Sequence, residues 1–131
     1  MVEMSELYSR LAEEVIREHS DLQWIRKSDI SIGYVESDRE KKSSGGLVLG
    51  ECFLVKDPWS AYCPHDFVIV VYAPNVAGLK ETQLKILLYH ELLHVDMDEK
   101  RGEPVYRVRP HDVEEFREII DKYGLDWSRR M

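Results

Sequence analysis

Hydrophobic and polar residues change rhythm several times along the chain, and each rhythm predicts an element. Over residues 4–18, Leu7, Leu11, Val15 and Ile16 recur at helical spacing with Glu and Arg between them, which predicts an amphipathic first helix. Residues 29–36 alternate through Ile30, Ile32 and Tyr34, and a second alternation runs through Leu47, Leu49, Glu51, Phe53 and Val55. A period of two places such residues on one face of a strand, so two strands are expected, joined by the polar stretch 37–46. Residues 66–72 are almost wholly apolar and β-branched and stop at Ala73-Pro74-Asn75, predicting a third strand. Helical spacing returns over residues 79–97. A last helix is expected over 112–123, opened by the Asp112/Glu115 capping pair and closed by Gly124 as a left-handed cap. The sum is an α+β domain over residues 1–131: an N-terminal helix, a small sheet of about three strands, a central helix and a C-terminal helix.

The central helix is apolar on more than one side. Stepping 100° per residue, Leu84, Leu88, Leu92 and Val95 form one strip, and Ile86, Leu93 and Met97 form a second. Leu87, His90, Glu91 and His94 fall between the strips, and only Lys85, Tyr89 and Asp96 read as solvated. Two histidines and a glutamate in such a setting need partners, because a buried imidazole or carboxylate without one is costly.

The run His90-Glu91-Leu92-Leu93-His94 offers one kind of partner. Side chains at i and i+4 share a helix face, so both rings can turn a nitrogen to a single metal ion, and Glu91 stands close enough to act on a water bound there. Catalytic zinc sites take three protein ligands and leave one position open. The third is sought at His111, seventeen residues after His94, in Arg109-Pro110-His111-Asp112 just before the last helix. Asp112, Glu114, Glu115 and Glu103 are the alternatives, since carboxylates also ligate zinc. His19 reads as a helix-end residue beside the helix dipole, and His65 as part of the turn Cys63-Pro64-His65-Asp66.

This chemistry predicts metal-assisted hydrolysis: a bound zinc makes its water acidic near neutral pH, and Glu91 accepts the proton and passes it to the leaving amine. Tyr106, Arg107 and Arg109 are candidates by position to steady the developing oxyanion. Asp98, Asp112 or Glu114 are candidates to hold the outer ring nitrogen of a ligand histidine. Residues 98–110 are expected to form a short hairpin or lid over the site.

His90-Glu91-Leu92-Leu93-His94-Val95, followed by Arg109-Pro110-His111-Asp112-Val113-Glu114-Glu115-Phe116, resembles a metallopeptidase family of phages, prophages and some prokaryotic genomes, small zincins in the style of SprT-like proteins. The resemblance runs from about residue 66 to 127, more loosely toward the N-terminus. It implies a minimal zincin-like fold, His90, His94 and His111 as zinc ligands, and Glu91 as the catalytic base. The metzincin pattern, with a Gly and a third His soon after the second, is absent, so Met97 is not read as a Met-turn.

Composition narrows the rest. With 44% hydrophobic and 33% charged residues over 131 positions, the chain matches an ordinary soluble globule. A net charge of −7 argues against a general nucleic-acid binder, because phosphate contacts need clustered Lys and Arg. No apolar run reaches bilayer length and no signal-peptide core is present, so a cytoplasmic protein without membrane attachment is expected, acting on peptides or unfolded chains. Cys52 and Cys63 read as free thiols, with a Cys52, Cys63, His65 metal set as the lesser alternative. Three other readings compete: a non-catalytic module pinned by zinc, a tri-histidine zinc endoribonuclease, and an inactive, metal-free fold. The acidic charge and the glutamate after the first histidine weigh against the second.

Overall fold

A computed structural model describes residues 1–44 and 46–110. In chain order these form β1 (Val2–Met4), α1 (Glu6–Glu18), a 3-10 turn (Ser20–Leu22), α2 (Gln23–Lys27), β2 (Ile32–Ser37), β3 (Lys42–Ser43), β4 (Gly46–Leu47) and β5 (Gly50–Leu54). A second 3-10 turn (Trp59–Ala61) precedes β6 (Phe67–Tyr72), α3 (Ala73–Val76), α4 (Glu81–Leu93), β7 (Val95–Lys100) and β8 (Glu103–Val108). The architecture is α+β. The expected C-terminal helix, with His111, lies outside the described residues.

The main sheet has the order β1-β2-β6-β5. β2 and β6 run parallel, with Tyr34 opposite Ile69, while β1 and β5 pair antiparallel on either side. The three expected strands are all present, and β1 adds a fourth at one edge. Phe67, Ile69 and Val71 are fully buried against the helices, whereas Val68 and Val70, on the other face of the pleat, are only half-buried. One covered face and one partly open face is the usual condition of a sheet packed on helices from one side.

α1 begins at Ser5, whose hydroxyl accepts from the Tyr8 amide at 3.2 Å and satisfies one of the helix's orphan donors. Its buried residues Tyr8, Leu11, Ala12, Val15 and Ile16 form one stripe. α4 starts where the Gln83 side chain accepts from the Lys80 amide at 2.9 Å. It lies against both α1 and the sheet, and Leu88, Tyr89 and Leu92 are fully buried.

Two features of α4 differ from the expectation. Tyr89, read as solvated, is buried: its ring stacks on His19 with centroids 4.0 Å apart, and its hydroxyl donates to Asp21 at 2.5 Å. A tyrosine with a satisfied hydroxyl packs as an apolar residue, which a polar/apolar pattern does not register. The helix also ends four residues early. His94 is its C-cap, and Val95 opens β7. Val95 and Met97 belong to a period of two, with Val95 buried at the base of the hairpin and Asp96 to Lys100 largely exposed; both periods fit so short a run.

β7 and β8 form a regular hairpin from Val95↔Val108 to Lys100↔Glu103, longer than the one expected over 98–110. Arg101 and Gly102 turn it, with φ of 54° and 78°, the left-handed pair that matches the strand twist. Tyr106 docks it on the body, its ring tilted against Phe67 at 5.8 Å.

Candidate metal centre

His90 and Glu91 lie in the last turn of α4, and His94 closes it. The helical rise brings one ligand atom from each within 4.8 Å of the others. The His90 and His94 rings stand edge to face with centroids 5.2 Å apart, and His90 Nε2 is 3.9 Å from Glu91 Oε2. Among the described residues, this is the one group of three such side chains close enough to share an ion. Glu91 is buried and His90 nearly so. Two imidazoles and a carboxylate in this setting fit a divalent cation such as zinc, which takes neutral nitrogen and anionic oxygen donors alike.

His94 is aimed by the hairpin. Its Nδ1 is 2.6 Å from the Arg109 carbonyl, and a carbonyl only accepts, so Nδ1 carries the proton. In this tautomer Nε2 is the ring nitrogen that would ligate a metal. The bond is reciprocated, because the Arg109 amide donates to the His94 carbonyl at 2.7 Å. This pair continues the β7–β8 ladder by one step, so the strand register itself sets the ring. Orientation of a ligand histidine by a carbonyl is a common outer-sphere arrangement. Asp98, expected in that role, is exposed and accepts from the Glu99 amide at 2.8 Å. Asp112 and Glu114 lie outside the described residues.

The sheet forms the opposite wall. Gly50 faces Glu91: a Cβ there would lie 3.0 Å from the Val70 carbonyl oxygen, 3.5 Å from Glu91 Oε2 and 3.6 Å from Glu91 Cγ. Beside it opens a cavity of about 150 Å³ lined by Leu49, Gly50, Leu87, His90 and Glu91. Neither Leu49 nor Gly50 was singled out as a site residue from sequence. The only signal was a glycine at the head of an alternating strand, which often marks close approach of another group.

The remaining candidates sort by position. Cys52, Cys63 and His65 do not gather into a ligand group among the described residues. Burial first, and then the Glu91 charge, push the Cys52 thiol well above its ordinary range, so it packs as a neutral side chain. His65 Nδ1 bonds the Ser31 hydroxyl at 2.8 Å. Glu103 sits at the far end of β8, five residues from Val108 or roughly 16 Å along a strand, and is exposed. Of the oxyanion candidates, Arg107 pairs with Asp96 at 2.6 Å, Tyr106 packs on Phe67, and Arg109 contributes its backbone to His94. His111, Asp112, Glu114 and Glu115 lie outside the described residues.

The sequence profile of a family described as "Putative phage metallopeptidase" matches residues 1–131. No curated protein and no solved structure matches the chain. Among the described residues no helix is long and apolar enough to cross a membrane.

Proposed function

The chain belongs to the phage metallopeptidase family, and from that premise we propose that it is a zinc-dependent hydrolase of peptide bonds, with His90, His94 and His111 as metal ligands and Glu91 as the catalytic base. The observation that carries the reading is the His94 clamp: the Arg109 carbonyl holds Nδ1, and a ligand atom of His94 lies within 4.8 Å of those of His90 and Glu91. Supporting it, His111 follows Arg109 by only two residues in the sequence, a chain reach of at most about 7 Å between Cα atoms.

When bound, zinc supplies a Lewis acid and lowers the pKa of its water toward neutrality. Glu91 accepts a proton from the attacking water and delivers it to the departing amine. Its burial between α4 and β5 keeps the carboxylate from wandering and holds bulk water away. β5 is the outer strand of the main sheet on the side of Glu91, and a peptide lying along it gains backbone hydrogen bonds that do not depend on side-chain identity. Unfolded chains are therefore the substrate class expected.

Glu91→Gln tests the assignment. The variant keeps a single zinc ion per chain by elemental analysis, while cleavage of an unfolded protein substrate falls by about 10²–10⁴-fold, the usual worth of a positioned acid–base group. Zinc retained with cleavage undiminished removes Glu91 from the chemistry. Unfolding on chelation, with no cleavage by the wild type, favours a structural zinc module instead.

A further inference from the structure

We propose that the cavity between β5 and α4 is a subsite for one uncharged, small to medium apolar side chain of the peptide, next to the cleaved bond, and that Leu49 and Gly50 set the size it admits. The inference rests on the hydrolase reading above and adds a substrate preference to it. A pocket that encloses a whole small-molecule ligand measures roughly 300–1,000 Å³. This cavity, at about 150 Å³, has room for a side chain and little more.

Its walls define what enters. Leu49 and Leu87 present apolar surface, Gly50 presents bare backbone, and His90 and Glu91 close the end at the metal centre. A charged side chain would shed water against two leucines, and an acidic one would also meet the Glu91 carboxylate. Because Glu91 is itself a wall, a side chain seated here belongs to a residue flanking the bond that Glu91 serves.

Gly50 is required for space and not for backbone conformation. It lies in β5, paired with Val71, and its φ is not in the left-handed region. Any side chain at this position would fill the gap in front of Glu91, with its Cβ already 3.0 Å from the Val70 carbonyl oxygen. Leu49 is half-buried, whereas Leu87 is fully within the core, so Leu49 is the wall that can be changed without emptying the core.

The test uses the full chain loaded with zinc and a peptide library in which the residues on either side of the cut vary among alanine, valine, leucine, phenylalanine, tryptophan and aspartate. Wild type prefers alanine, valine or leucine on one side of the bond. Leu49→Ala raises kcat/KM for phenylalanine at that position about ten-fold or more relative to alanine, and Leu49→Trp lowers leucine relative to alanine by a similar factor, the scale on which apolar pockets discriminate. The second readout needs no turnover: amide NMR of the zinc-loaded Glu91→Gln variant titrated with the valine and tryptophan peptides, with perturbations at Leu49 and Gly50 expected for the first and not the second. Cleavage whose preference does not move with Leu49, or NMR perturbations that miss Gly50, overturns the subsite and leaves the hydrolase standing. No cleavage of any peptide, with valine-selective perturbation at Gly50, overturns the hydrolase and leaves a side-chain pocket.

Discussion

α1 and α4 are each 13 residues long and each ends on a histidine whose Nδ1 bonds a backbone carbonyl, yet only one of these ends has the makings of a reactive centre. His19 reaches back one turn in its own helix, to Val15 at 2.8 Å, and its ring is stacked on Tyr89. His94 reaches 15 residues forward, to Arg109 at 2.6 Å, and its ring stands beside His90 and Glu91. The first bond is local and caps a helix. The second is long-range and aims a ring. An Nδ1–carbonyl bond fixes a tautomer in either place, so what separates structure from chemistry is the surroundings of Nε2. The two ends also touch, because Tyr89, on which the His19 ring stacks, immediately precedes His90.

Replacing the two histidines in turn gives the largest contrast. His94→Ala weakens zinc binding by more than the roughly 10–100-fold typical of lost outer-sphere contacts, measured by competition with a chelator. His19→Ala leaves zinc affinity unaltered and instead costs about 1–3 kcal/mol in urea unfolding, through the lost ring contact and the unpaired carbonyl. Equal losses of affinity in both variants would erase the distinction.

A smaller effect is expected from the hairpin that sets His94. Gly102→Val forces a β-branched residue into a φ of 78°, a strain of about 1–2 kcal/mol at the turn. Loosening β8 relaxes the Arg109 carbonyl, and zinc affinity falls by up to about ten-fold, the low end for an outer-sphere contact. Unchanged affinity in a demonstrably destabilised hairpin would mean that the register does not orient the ring. Smallest is Tyr89→Phe, which removes the bond to Asp21 and keeps the ring: the loss is about 0.5–1.5 kcal/mol in urea unfolding, with zinc affinity intact.

Much of this was legible in sequence where a local period carried it. The stripe of Leu11, Val15 and Ile16, and the apolar run of β6, fixed α1 and the sheet's central pair. The spacing of His90, Glu91 and His94 brought the three together, because one helical turn does that without tertiary help. Elements without a pattern escaped. β1 is three residues with all side chains exposed, and α2 with its preceding 3-10 turn spans residues 20–27, too short for a repeat. Val95 and Met97 fitted a helix strip as well as a strand, so the helix end was misplaced. Partners made by tertiary approach were invisible for a different reason. The Arg109 carbonyl belongs to every residue type alike, and Gly50 gains its role only from standing opposite Glu91.

The proposed hydrolase depends on one zinc ion shared by His90, His94 and His111 beside Glu91. Crystals of the zinc-loaded protein, with anomalous difference maps collected on both sides of the zinc edge, test it most directly. One peak per chain is expected, about 2.0–2.1 Å from a ring nitrogen of each histidine, with Nε2 the donor from His94 and a fourth position free of protein. A peak bound by four side chains of the protein, or one placed at Cys63 and His65 with His90 and His94 turned apart, would contradict it.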